Sequence, residues 1–385
     1  MLPNVAIVGI GRTFFNSITP DMSYKELMFD AAVKAYNEAG VDPRKDIDSF
    51  VCCSEDFLEG TSIFDEYVPD QLGAALKPVH TICADGLYGL IAAYMQICTG
   101  AIDTVAIEAH SKLSNLLTPD WCIAFAMDPI LNRPLAHNPY FIAGMEMNRY
   151  LYQSGNSKEQ CAQVSAKNKR SALNNPVAAY GAEVTPDQVM SSEVVFYPLS
   201  RLDMSPPADG AVVVVLASGR KAKMLSSKPI WIKGVGWCSD TPSLETRNWG
   251  EAAYARLAAE MAYKMAGIKN PGKEIDLAEI DDTFSYKELQ HLEALGLCRR
   301  GEAALLVTEG ATQRGGEIAV NLSGGSLGIG HLAEASGLER VAEVTLQLRG
   351  EAGKGQVSHA KIGLAQCWQG IPSASGAVVI LTNQG

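Results

Sequence analysis

Residues 80–90 read "HTICADGLYGL", placing Cys83 just before a run whose apolar residues recur at helical spacing. Packing explains such a cysteine, since a free thiol behaves as a small hydrophobe. Chemistry explains it equally well, because a helix N-terminus stabilises a thiolate and makes Cys83 a candidate nucleophile. His331 follows the glycine-rich "NLSGGSLGIG", in which Gly324, Gly325 and Ser326 offer backbone N–H groups to a ligand at a helix start. Taken singly, His331 reads as a core histidine satisfied by a carbonyl. Cys367, in "AQCWQGIPSASGAVVIL", stands where a strand gives way to a glycine turn. Asp281, Asp282 and Thr283, in "EIDDTFSYKEL", lie between a strand and a helix, where adjacent acids usually serve as N-caps.

Other reactive residue types carry weaker signals. "GGSLGIG" lacks the Gly-x-Gly-x-x-Gly spacing and later acid of a dinucleotide site. His80, His110, His137, His291 and His359 fall in no metal spacing, and Cys52, Cys53, Cys98, Cys122, Cys161, Cys238 and Cys298 read as core or surface thiols. Lys167, Lys169 and Arg170 could meet the phosphates of a nucleotide-like carrier, but a solvated helix face is the simpler reading.

The elements that must position these residues occur twice. "NVAIVGIGRT" is echoed by "PIWIKGVGWC", each read as an alternating strand closed by a Gly-x-Gly turn. "LMFDAAVKAYNEAGVDPRKDID" is echoed by "RLAAEMAYKMAGIKNPGKEID", an amphipathic helix stopped by Ala-Gly. "DGAVVVVLAS" and "SGAVVILTN" close the two copies as buried strands. The expectation is a layered α/β architecture with pseudo-twofold symmetry, in halves 1–225 and 226–385, the first carrying an excursion at about 111–195. The symmetry places Cys83 and His331 at equivalent helix starts, bringing a thiol to an imidazole as a cysteine nucleophile requires.

Composition limits the function classes. The 385 residues, 47% hydrophobic and 19% charged, describe a globular chain with a sizeable core. A net charge of -11 argues against nucleic acid, which needs a basic face. Neither a signal peptide nor a membrane span is legible, and the scattered cysteines fit a reducing cytoplasm.

With these motifs together, the chain resembles the thiolases. The likeness runs through the duplicated halves, "CADGLYGL", "GGSLGIGH", "CWQG" and "SPPADGAVVVVLAS"; "VGIGRT", "HSKLS", "FSYKELQHLEALGL" and "AEVTLQLRGEAG" point to the archaeal and sterol-carrier-protein-x branch. The resemblance implies a duplicated five-layered α-β-α-β-α fold and cleavage of a 3-oxoacyl-CoA by coenzyme A, with no metal or redox cofactor. It casts Cys83 as the acylated nucleophile, His331 as the group that activates it and helps bind the thioester oxygen, and Cys367 as the acid/base. It also implies an oxyanion hole from the N–H groups of Cys83 and Gly370.

Asp281 departs from the pattern, standing where the branch has His and ordinary thiolases have Asn. A carboxylate there opposes an enolate unless it is protonated or holds a water. Thr283 replaces the branch's second cysteine, and Leu332 its usual proline. Also implied are a homodimer and a small accessory subunit combining a zinc ribbon with an oligonucleotide/oligosaccharide-type barrel. One substrate the resemblance offers is benzoylsuccinyl-CoA, giving benzoyl-CoA and succinyl-CoA in anaerobic toluene breakdown. The aromatic and methionine residues of the excursion suit a ring pocket or a dimer interface. The alternatives are a condensing synthase of the ketoacyl or hydroxymethylglutaryl-CoA type, against which Cys367 argues, and a non-catalytic acyl-CoA-binding scaffold.

Overall fold

A computed structural model describes residues 4–136, 138–371 and 374–385; His137, read above as an ordinary histidine, lies outside them. The first half runs β1 (Val5–Arg12), α1 (Tyr24–Ala39), β2 (Ser49–Cys53), β3 (Val79–Ile82), α2 (Gly86–Cys98), β4 (Thr104–Lys112), α3 (Lys158–Ala172) and β5 (Asp209–Ser218). The second runs β6 (Ile230–Ser239), α4 (Ala253–Ala266), β7 (Leu277–Glu279), α5 (Ser285–Ala294), β8 (Ala319–Val320), α6 (Gly325–Ile329), α7 (Ser336–Arg349), β9 (Ile362–Gly370) and β10 (Ala374–Thr382).

Strand pairing repeats the sequence echo. The first half orders its strands β1-β5-β4-β2-β3 and the second β6-β10-β9-β7-β8. In each, the last strand in sequence is antiparallel to both its neighbours while the two remaining contacts are parallel. A short antiparallel contact, Ala6 with Trp231 and Ile7 with Ile230, joins the sets into one ten-stranded sheet. The sheet closes over α2 and α7, whose Leu87, Leu90, Leu338 and Val341 share a core with Val214 and Val379 from the two β arms. Helix α1 covers the outer face of the first arm and α4 that of the second. Five layers result, as expected. β5 is buried on both faces, which is why its sequence is continuously apolar rather than alternating.

The Gly-x-Gly motifs differ from expectation. Gly9 and Gly11 lie inside β1, and Gly234 and Gly236 inside β6, not in turns. A Cβ added at Gly11 would stand 2.0 Å from the Ala31 carbonyl oxygen, and one at Gly236 would stand 2.1 Å from that of Ala258. These glycines let α1 and α4 lie directly on the sheet. The Ala-Gly stops are as read: Gly40 and Gly267 cap the two helices in the left-handed conformation, at φ 65° and 76°. Among the described residues, no helix is long and apolar enough to cross a membrane, and no cluster of three or more His, Cys, Asp or Glu could hold a metal ion.

Candidate active site

The two central helices begin at one carboxylate. Asp85, the N-cap of α2, accepts the Leu87 N–H at 2.8 Å and, across the pseudo-twofold axis, the Gly337 N–H at 2.8 Å. Each donor is the second residue of its helix, so one side chain satisfies the same orphan donor of both. Burial pushes Asp85 up to about 6, against those N–H groups and Arg340.

A cavity of about 730 Å³ opens beside this junction. Its wall includes Asp85, His331, Glu334, Asp281 and Gly370, with Tyr140, Phe196, Phe284 and Trp368 supplying apolar surface. His331 is held through its backbone, which donates to the Pro206 carbonyl at 2.7 Å and accepts from the Ala208 N–H at 2.9 Å. Its Nδ1 is buried with no hydrogen-bond partner among the described residues. Burial lowers the imidazole pKa against the pull of Asp281, so the neutral ring, able to accept a proton, is favoured.

Asp281 is buried, and its Oδ2 lies 2.8 Å from Arg340 Nη2. Thr283 donates its N–H to the other oxygen at 3.0 Å. Burial pushes the carboxyl up, but Arg340, His291 and His331 outweigh it and leave Asp281 below its ordinary value. Asp281 is therefore an ionised group neutralised by a guanidinium, an arrangement absent from the two the sequence offered. Arg340 is fixed in turn by donating to Ser326 Oγ at 2.7 Å and to the Gln366 carbonyl at 3.3 Å. Sequence reasoning missed Arg340; the available signal was a charge at a buried position of α7, facing an acid where the resemblance expects His or Asn.

The adjacent acids do not cap the helix that follows them. Phe284 is the N-cap of α5, with no side-chain bond. Asp282 instead caps α6, accepting from Ser326 N at 2.6 Å and Leu327 N at 3.2 Å. The glycine loop therefore does not leave these N–H groups free: Asp282 takes that of Ser326, and Ser323 Oγ takes that of Gly325 at 3.1 Å. Gly324, Gly325 and Ser326 are buried and lie outside the cavity wall. Lys167 and Lys169 are not on a solvated face either. Both are buried, Lys167 against Glu288, while Lys169 lines the cavity and donates to the Leu327 carbonyl at 2.8 Å. Arg170 is exposed and pairs with Glu183.

The two thiols are placed differently from each other. Cys83 is exposed, three residues before α2 rather than in its first turn, and is not among the residues lining the cavity. Burial, Asp56, Glu55, Asp65 and Glu334 raise its pKa, opposite to the lowering expected at a helix start. Such a thiol needs a base. Cys367 is fully buried on β9, also outside the wall, with its thiol hydrogen-bonded to Asp85. The excursion residues divide: Ile123 and Tyr140 face the cavity, whereas Trp121 and Phe125 are exposed.

Comparison with known proteins decides the family. Residues 237–383 match the thiolase C-terminal domain-like family. An acetyl-CoA acetyltransferase of Methanothermobacter thermautotrophicus is 34% identical over 369 residues, 94% of this chain and 95% of that protein. The chain belongs to the thiolase superfamily. Within it, human sterol carrier protein 2 is 32% identical over 407 residues, covering 98% of this thiolase and 71% of the human protein, which places the chain in the sterol-carrier-protein-2-like branch. In fold, this thiolase matches a solved Ltp2-ChsH2(DUF35) aldolase with a TM-score of 0.85 at 23% identity, over 100% of this chain and 99% of that one.

Proposed function

We propose that this thiolase is a coenzyme A-dependent acyltransferase that cleaves a 3-oxoacyl-CoA through an acyl group carried on Cys83. His331 takes the thiol proton, and the thiolate attacks the 3-keto carbon. The N–H groups of Cys83 and Gly370 receive the tetrahedral oxyanion, and His331 helps bind the enolate that leaves. Asp281 positions: its charge is balanced by Arg340 and so does not oppose an enolate as a bare carboxylate would. Cys367 is hydrogen-bonded to Asp85, which lines the cavity. The observation carrying this reading is His331, its buried Nδ1 unpartnered among the described residues, in the wall of an apolar cavity at the joint helix starts of a thiolase-superfamily chain.

For the acyl group we take benzoylsuccinyl-CoA, which yields benzoyl-CoA and succinyl-CoA. The aromatic wall supports a ring, and the buried ammonium of Lys169, bonded to one carbonyl, supports a free carboxylate. The reading includes a cytoplasmic homodimer, with β3 as a sheet edge open to a partner, and a small zinc-ribbon and barrel accessory subunit. The test is intact-protein and peptide mass spectrometry after mixing with acetyl-, succinyl-, benzoyl- and benzoylsuccinyl-CoA. An acyl adduct on Cys83, discharged by coenzyme A and absent from Cys83→Ala, is expected. Folded protein that forms no adduct with any of the four overturns the reading in favour of an acyl-CoA-binding scaffold.

A further inference from the structure

Three carboxyl groups in the cavity wall, those of Glu334, Glu55 and Asp120, have no part in the steps above, and Asp120 is engaged by Asn138 at 2.7 Å. Glu334 sits in the turn between His331 and α7 and is 7% exposed. It lines the cavity, and its carboxyl has no hydrogen bond to another described residue. Glu55, the second carboxyl, lines the same cavity and accepts from Gln369 Nε2. Behind them Glu59 Oε1 stands 3.0 Å from the Nε2 of His110, whose Nδ1 is 3.0 Å from Glu108. Glu55, Glu59 and His110 are thus the charged groups facing Glu334, and that imidazole is already shared between two other carboxylates.

Burial first, and then Glu55, hold the Glu334 carboxyl well above the usual carboxylate range. Two carboxyls facing one another in a buried site share one proton rather than ionise together. Glu334 is also close enough to Cys83 to raise the pKa of that thiol. Cys367, by contrast, is fully buried outside the wall. A loaded acid therefore faces the cavity where the carbon–carbon bond must break, and it is a carboxyl.

We propose that Glu334 is the acid/base of the carbon–carbon step: it protonates the α-carbon of the departing enolate, and its carboxylate then takes the proton of the incoming coenzyme A thiol. The inference rests on Cys83 being the acyl carrier. Cys83 sulfur bonds to the 3-keto carbon, and the C2–C3 pair leaves as the enolate. The Glu334 O–H breaks as the C2–H forms, releasing the first acyl-CoA. Coenzyme A then gives its S–H proton to Glu334, and its sulfur displaces Cys83 as a thiolate, with the original thiol proton still on His331.

The two claims separate in one experiment. Wild type, Glu334→Gln, Glu334→Asp and Cys367→Ala are incubated with acetyl-CoA in deuterium oxide, and mass spectrometry follows both the acetyl adduct on Cys83 and deuterium uptake into the acetyl methyl group. In Glu334→Gln the adduct should form more slowly, because the departing coenzyme A thiolate loses its acid, but should still accumulate on long incubation, which shows a folded site, while deuterium uptake falls about 100-fold or more, the range for loss of a general acid/base. Glu334→Asp should recover part of the uptake. Wild-type uptake in Glu334→Gln, or loss of uptake in Cys367→Ala alone, overturns the inference and leaves the acyl-enzyme intact. A wild type with no adduct on Cys83 overturns the underlying reading and the inference with it.

Discussion

The first half of the molecule ends its approach to the central helix on an exposed thiol among carboxyls; the second ends the equivalent approach on an imidazole beside a neutralised ion pair. Both approaches leave a matching strand and lead into a matching helix, and the two helices share Asp85. The frame repeats between the halves, while the side chains gathered at and around each helix start do not. The first half surrounds its thiol with carboxyls that raise its pKa, and the second half holds the imidazole, the guanidinium of Arg340 and the Glu334 carboxyl to which the proposed steps give their roles.

Arg340→Met tests the ion-pair side and should have the largest effect. It leaves Asp281 buried and uncompensated, at a cost of about 3–5 kcal/mol in denaturant unfolding, and Arg340→Met with Asp281→Asn should recover most of that loss. The shared frame is tested next. Gly11→Ala and Gly236→Ala each force a helix off its strand and should cost about 1–3 kcal/mol, by similar amounts in the two halves. A large cost in one half and none in the other would break the comparison.

The pH dependence is a smaller effect. His291, buried between Tyr254 and the Asp281 carbonyl, is pushed down to about 4 by burial and then by Lys287. Its folded pKa lies below the ordinary 6.5, so the unfolded chain binds the extra proton first. The stability it contributes is present above pH 6.5 and is lost as pH falls towards 4. The stability difference between wild type and His291→Gln, measured by denaturation across that window, should shrink as the solution is acidified. The smallest effect belongs to the surface: Arg256→Ala removes an exposed i,i+4 pair with Glu260 and should change stability by no more than about 0.5 kcal/mol.

The frame was legible because its signals are local and occur twice. Periodicity and Ala-Gly stops found α1 and α4, and apolar runs found β5 and β10. The site was legible only as residue types. Nothing in the spacing of "EIDDTF" says that Asp281 meets an arginine 59 residues later, or that Asp282 caps a helix from another loop, since both depend on how β7, α6 and α7 pack. The glycine loop misled for a related reason. Its N–H groups read as free to meet a ligand, but the loop's own Asn321 carbonyl and Ser323 hydroxyl take two of them and the distant Asp282 carboxylate takes that of Ser326. Cys83 was assigned a lowered pKa from its helix start alone, and the four carboxyls around it became visible only in three dimensions.

In the proposed reaction the imidazole of one half activates the thiol of the other. Quenched-flow measurement of Cys83 acylation by acetyl-CoA, comparing wild type with His331→Asn at equal folded fraction, tests it most directly. Acylation in the variant should slow by about 100-fold, the typical contribution of a positioned base. Acylation at the wild-type rate would show that His331 does not activate Cys83.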